Sequence, residues 1–302
     1  MADLVSGRSG PEVTVAGDEL PVWVKSERQL ERERRRGRAG RRAAAVAVAS
    51  TIVFLGVVGG VLVSSPGWPR VRETFFSWHQ FQLAFPDVLA GFWLNVKIFL
   101  IAEPVILVLG LLVALARGLR APAAFPLRAV AVGYTDVFRG VPTILLVYLV
   151  GFGLPALNLR GMPADPVVLG GFALVLSYGA YVAEVFRAGI DSVHPSQRAA
   201  ARSLGLSQAQ SLRFVVLPQA VRRVVPPLLN DFASLQKDTA LVAVLGPLEA
   251  LRQAQIHSAT TFNYTPFLAA ALLFIALTVP LARFTDHLAV RAARRRAPGG
   301  GV

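Results

Sequence analysis

The stretch "SVHPSQRAAARSLGLSQAQSLRFVVLPQA", Ser192 to Ala220, is polar and rich in Arg and Ala, and it interrupts sequence that is apolar on both sides. Pro195, after His194, is a rigid helix start, and Ser196 and Gln197 continue into Arg198 and the small run Ala199, Ala200, Ala201 and Leu204. Gly205 then stops that helix or lets another backbone approach closely. After Leu206, Ser207 stands three residues before Gln210, the spacing of a capping box, so a second helix starts there. Leu217-Pro218 is expected to end this second helix and return the chain to apolar surroundings. The reading is two short helices around a Gly joint, with small residues displayed outside the hydrocarbon. Such a face suits docking by another protein; the plainer alternative is a loop helix packed on its own chain.

The surrounding composition explains why a polar insert matters. The chain has 302 residues, 54% of them hydrophobic, and a mean hydropathy of +0.54, which a soluble domain rarely reaches. Cysteine is absent, excluding a disulfide framework, a thiolate metal site and a Cys nucleophile. The net charge of +13 and pI near 11.3 have two readings, nucleic-acid binding or the Lys/Arg bias of cytoplasmic loops.

The apolar pattern decides between them. It predicts an all-α, polytopic membrane protein of about six spans, each near the ~20 helical residues a bilayer requires. They are Ala43–Ser64, Asp87–Ala116, Ala129–Leu154, Val167–Arg187, Ala220–Leu245 (broken by Pro226-Pro227 and "KDT") and Pro266–Val290. Lys and Arg concentrate in the N-terminal tail, the 117–128 loop, the 187–223 segment and the C-terminal tail. The intervening loops hold only Arg70, Arg72, Arg160 and Arg252. This asymmetry predicts both termini and the 192–220 segment on the cytoplasmic side, and it absorbs the basic pI without nucleic acid. The tail "ERQLERERRRGRAGRR" reads as a solvated helix and topology signal, or as a contact for anionic membrane lipid. The first span, behind 42 residues, suits a retained anchor better than a cleaved signal.

Ala199-Ala200-Ala201, three residues, Gly205, nine residues, Val215, one residue and Leu217-Pro218 together resemble the "EAA" loop of ABC importer permeases. The stretches "YTDVFRGVP" (134–142), "AYVAEVFRAGI" (180–190), "LPQAVRRVVPPLLND" (217–231) and "LQKDTALVAVLG" (235–246) resemble the polar amino-acid uptake branch of that family, over roughly two thirds of the chain. The resemblance implies a five-helix type I importer core over 85–290, preceded by a tail at 1–42 and an extra helix at 43–64, and followed by a tail at 291–302. It implies that 192–220 is a coupling loop docking on a separate ATPase through Ser196, Gln197, Arg198, Ala199, Ala200, Ala201, Leu204, Gly205 and Leu206. It further implies an ATP-binding subunit dimer, a second permease chain, identical or paralogous, an extracellular solute-binding protein, a polar amino acid as solute, and a plasma-membrane location. Ala199 departs from the family's usual Glu and Ser196 from a common Gly. With that carboxylate gone, coupling is expected to rest on helix shape, Gly205 and nearby Arg198 or Arg202.

The chain carries no G-x-x-x-x-G-K-[ST], so ATP and Mg are expected on the partner and no cofactor here. No H-E-x-x-H or G-x-S-x-G occurs, and His79, His194, His257 and His287 are scattered, so neither catalytic residues nor a metal site are expected. A membrane enzyme is thereby disfavoured. An ion-coupled secondary amino-acid transporter is the other class to weigh, although no internal repeat is visible and the loop would go unexplained.

Ionisable groups in spans are candidate sites by default. Ser177, Tyr181 and Glu184 share one helix face, a stripe able to hold an α-amino group and similar to the cavity-lining face of the amino-acid branch. Two readings stay open: substrate contact, or for Ser177 an interhelical hydrogen bond and for Glu184 an ion pair with Arg187. Lys237 and Asp238 are a gate or a structural pair. Lys97 and Glu103 face the cavity or pair with Lys237 or Asp238 across helices.

Overall fold

The computed structural model describes residues 27–119, 121–158, 160–161 and 163–294, so the expected basic tail before 27 and the end of the C-terminal tail lie outside the described residues. Every regular element among these residues is helical. The chain divides into two units, Met1–Trp68 and Pro69–Val302. The first holds α1, Glu27–Val63, whose apolar side chains from Ala43 onward, such as Ile52 and Phe54, stay exposed.

The second unit runs through α2 (Trp68–Phe75), α3 (Trp78–Arg117), α4 (Phe125–Gly140), α5 (Thr143–Ala156), α6 (Pro166–Asp191), α7 (Pro195–Ser203), α8 (Gln208–Ser211), α9 (Leu217–Asp238), α10 (Ala250–Thr261) and α11 (Thr265–Arg294). Ser77 caps α3 by accepting from the Gln80 N–H, and Asp165 caps α6 by accepting from Val167 and Val168, each satisfying donors that a helix start leaves free. α3 and α6 make the largest interhelical contact. Ile98, Phe99 and Ile106 of α3 meet Leu174, Tyr178 and Val182 of α6, with Leu235 of α9 closing the cluster. Glycine permits this approach. A Cβ on Gly110 would lie 2.5 Å from the Val182 side chain, and one on Gly189 would collide with Val224.

Among the described residues, four helical stretches are long and apolar enough to cross a membrane: Ala43–Val63, Trp68–Arg117, Pro166–Asp191 and Thr265–Thr285. A fifth is the pair Pro122–Gly140 and Thr143–Ala156, bent by 108°. The expected six spans therefore need correction at three points. The stretch 87–116 belongs to a helix that starts at Trp78. The stretch 129–154 is two helices, because Pro142 supplies no N–H to continue the ladder. Ala220–Leu245 is α9 followed by a 3₁₀ stretch, Thr239–Leu245; Arg222, Arg223, Asp231, Lys237 and Asp238 keep it from qualifying on composition. α9 also runs unbroken through Pro226-Pro227. Pro218, at the start of α9, begins that helix instead of ending the one before it.

Below the α3–α6 core lies a buried polar knot. Asn95 is fully buried on α3. Its Nδ2 donates to Thr239 Oγ1 at 3.2 Å and to Glu249 Oε2 at 3.0 Å, and its Oδ1 accepts from the Ala250 N–H at 3.1 Å. Glu249, also fully buried, caps α10 by accepting from Leu251 and Arg252 N–H. Gly91, one turn before Asn95, leaves room for this backbone: a Cβ there would sit 2.6 Å from the Glu249 carbonyl carbon.

Asn95→Leu removes both donor and acceptor while Glu249 and Ala250 N–H stay buried, and each unsatisfied group costs about 1–3 kcal/mol. A thermal melt of the detergent-solubilised protein should show a clearly lowered midpoint. Leu100→Ala, at an exposed position on the same helix, should lower it far less.

Candidate functional site

The 192–220 segment is built as two short helices about Gly205. His194 caps α7, its Nδ1 accepting from the Ser196 N–H at 3.2 Å, with Pro195 at the first helical position. Gly205 has φ +81, the left-handed value that ends a helix and that a side chain disfavours. Ser207 N–H donates to Gln210 Oε1 at 2.9 Å and Gln210 N–H to Ser207 Oγ at 3.3 Å, a reciprocal capping box that starts α8. From there the chain passes through a π-helical turn, Leu212–Val216, directly into α9.

What the loop displays divides sharply. Ala201 is buried, whereas Ser196, Gln197, Ala199, Ala200 and Gly205 are exposed and Leu206 is half-buried. Leu204 is 84% exposed, unusual for a leucine outside an apolar span. Arg198 is turned inward, Nη2 donating to the Ile190 carbonyl at 2.6 Å, so it fastens α7 to the end of α6. Arg202 is exposed. Arg223, nearly two turns into α9, donates to the Ser192 carbonyl. The loop is thus tied to the end of α6, with an outward face of small residues, Leu204 and Arg202.

The stripe on α6 is real as a face but not uniform. Ser177 is fully buried and shares a 2.9 Å hydrogen bond with Thr143 Oγ1 at the start of α5. Tyr181 is exposed, and its hydroxyl donates to the Arg139 carbonyl at 3.4 Å. Glu184 does not pair with Arg187, which bonds Asp191 at 3.4 Å instead. Its Oε2 lies 2.6 Å from Arg117 Nη1 and 3.6 Å from Arg139 Nη1. Arg187 follows Glu184 on the same helix, but the two arginines reach it from α3 and α4.

The other in-span candidates are scattered. Asp238 accepts from the Tyr178 hydroxyl at 2.8 Å, tying α9 to α6. Among the described residues, Lys237 has no carboxylate in ion-pair range and is exposed, so the Lys237–Asp238 pair does not form. Lys97 is exposed, its Nζ 6.0 Å from the Trp93 ring centroid. Glu103 is half-buried and lies within electrostatic reach of Asp231, not in a pair with Lys237 or Asp238. Sequence reading missed Thr143, Tyr178 and the Asn95–Glu249 knot. It passed over Arg117 and Arg139 as partners of Glu184, although an arginine inside a span was signal enough to examine Arg139.

These features define a multi-pass helical membrane protein whose polar loop and charged helix face belong to one unit. The chain belongs to the family described as binding-protein-dependent transport system inner membrane component, whose model matches residues 106–294. It is 34% identical over 197 residues to the arginine transport system permease protein ArtQ of Bacillus subtilis (strain 168), covering 65% of this chain and 88% of that one. It is 34% identical over 202 residues to the probable glutamine ABC transporter permease protein GlnM of the same organism, covering 67% and 91%. Among solved structures it is similar to an amino acid ABC transporter crystallised with histidines, with a TM-score of 0.65 and 31% identity over 71% of this chain and 98% of that chain. The chain is an ABC importer permease subunit, which sets aside the ion-coupled reading.

The left-handed conformation costs a non-glycine residue about 1–2 kcal/mol. Gly205→Val should therefore loosen the α7–α8 joint and speed limited proteolysis within 203–208. Gly205→Asn, which tolerates that conformation better, should be cleaved nearly as slowly as the unaltered chain.

Proposed function

We propose that this permease carries a polar amino acid inward, driven by a separate ATP-hydrolysing dimer that docks on the α7–Gly205–α8 loop. The observation that carries the reading is the loop itself: anchored by Arg198 and Arg223 and presenting exposed Ala199, Ala200, Leu204 and Arg202. ATP and Mg would reside on that partner. Two permease chains would face one ATPase dimer, with an extracellular receptor delivering the solute, and both termini would lie in the cytoplasm of a plasma-membrane complex. The amino-acid assignment draws on the relatives' names, an arginine and a glutamine permease. The solute path is proposed to pass Tyr181 on α6, Lys237 and Asp238 on α9, and Lys97 and Glu103 on α3. Ser177 would shape the path by holding α5, and the basic tail would lie against anionic lipid.

Ala199 removes the carboxylate usual at that position, so shape and Arg202 carry more of the docking than Arg198, which is committed to Ile190. Affinity capture of the tagged chain from its membranes, followed by mass spectrometry, should recover an ATPase, a permease and a solute receptor. Uptake of radiolabelled arginine or glutamine by the recovered complex in vesicles should need ATP and survive proton and sodium uncouplers. Gly205→Leu should abolish uptake while leaving the chain inserted, and Ala199→Glu should hold the ATPase at least as tightly. Normal uptake and normal ATPase capture with Gly205→Leu would show that the loop is not the coupling element.

A further inference from the structure

Four separate contacts fasten the bent α4–α5 pair to a single strip of α6. The Tyr134 hydroxyl donates to the Leu176 carbonyl at 2.7 Å. Thr143 and Ser177 share a hydrogen bond at 2.9 Å. The Tyr181 hydroxyl donates to the Arg139 carbonyl at 3.4 Å, and the Arg139 guanidinium lies 5.8 Å from the Tyr181 ring centroid. Arg139 Nη1 lies 3.6 Å from Glu184 Oε2. Two of these contacts end on Arg139, the residue just before the 108° bend at Gly140–Pro142.

Glu184 is shared unequally. The Arg117 side chain is only 8% exposed, its Nη1 is 2.6 Å from Glu184, and its buried Nε has no hydrogen-bond partner. Arg139 is 42% exposed and a full ångström further away. Opening the Arg117 contact would leave its largely buried guanidinium unpaired, which is costly. A half-exposed pair at this distance is weak and opens readily. The carboxylate is therefore fixed to α3 by Arg117 and holds α4 by a grip that can release. The bend has room to respond: a Cβ on Gly140 would meet nothing within 4 Å, and Pro142 leaves the helical ladder interrupted there.

We propose that Glu184 is a positioning residue for transport and not a ligand of the solute. Anchored by Arg117, it latches the α4–α5 bend through Arg139, and the cycle advances by release and re-engagement of Arg139. Its work lies in the movement after solute capture, so the latch sets turnover and not capture. Arg117 and Glu184 stay paired throughout, while the Tyr134 and Ser177 contacts supply the fixed points about which the bend swings.

The test is concentration-dependent uptake of radiolabelled arginine and glutamine by the full complex in vesicles, comparing the unaltered chain with Glu184→Gln, Arg139→Gln and the double variant. Each single variant should lower the maximal rate at least fivefold, the lower end of coupling effects between linked elements, with the half-saturating concentration shifted less than twofold. The double variant should be no slower than the worse single one, since both remove the same latch. Arg139→Gln alters an exposed side chain, so it carries the test if Glu184→Gln does not accumulate in the membrane. A raised half-saturating concentration at unchanged maximal rate would make Glu184 a solute ligand and overturn the latch. Unchanged uptake, or losses that multiply in the double variant, would overturn it too. The proposal rests on the amino-acid reading: failure of the unaltered complex to take up either probe counts against that reading, whereas normal uptake by the variants alone counts against the latch.

Discussion

A carboxylate with no access to water, that of Glu249, is the constraint around which the second unit is arranged. Inside a membrane protein no solvent is available to satisfy a broken backbone, so irregular chain survives only where protein groups replace water. The change from the 3₁₀ stretch after α9 to α10 is such a break. Asn95 of α3 supplies donor and acceptor to it at once, reaching Thr239, Glu249 and the Ala250 N–H. Gly91 makes the approach possible, because any side chain there would occupy the place of the Glu249 carbonyl. α3 is thereby fixed in register against the segment that follows α9. The same helix meets α6 along Ile98, Phe99 and Ile106. The position of Arg117, at the far end of α3, follows from that register.

Much of this was legible in the sequence where local chemistry decides. Gly205 as a helix stop, the Ser207–Gln210 capping box and Pro195 as a helix start depend on residues within a few positions of each other, and all three appear in the structure. The helical membrane class followed from apolar runs, and the common face of Ser177, Tyr181 and Glu184 from the 3.6-residue period. Long-range choices were not legible. Nothing near Glu184 in the chain distinguishes Arg187, three residues on, from Arg117 and Arg139, which reach it only because α3 and α4 pack on α6. Asn95 carries no local sign that its partners lie more than a hundred residues away.

Two of the errors over the spans concern proline, in opposite directions. Pro226-Pro227 was read as a break and Pro142 was passed over inside one span, because the effect of proline depends on what surrounds the freed carbonyls. At Pro142 the helix does end, and α5 leaves at a steep angle with Ser177 holding its first residue, Thr143. At Pro226-Pro227 it does not, and α9 continues because α6 and α11 both pack along it. The same contacts explain how α9 can be charged. Asp238 finds Tyr178 on α6, and the Gln236 carbonyl oxygen of the side chain accepts from Thr278 on α11 at 2.6 Å. Hydropathy undervalues a helix whose polar groups are answered by neighbours and not by lipid.

The contrast between the loop and the α6 stripe divides the labour within the molecule. Arg198 and Arg223 tie the loop to the Ile190 and Ser192 carbonyls at the end of α6, and Gly205 joins its two helices in the left-handed conformation. On the proposed reading, a push on α7 would reach α6 through these contacts. Along α6 Ser177 is fully buried, whereas Tyr181 is 39% exposed and the Glu184 side chain 35%. Fully buried contacts keep their geometry under load, whereas half-exposed ones exchange with water at little cost. On the proposed reading, motion delivered through the loop would meet least resistance at the half-exposed contacts of Arg139 with Tyr181 and Glu184, beside the 108° bend between α4 and α5.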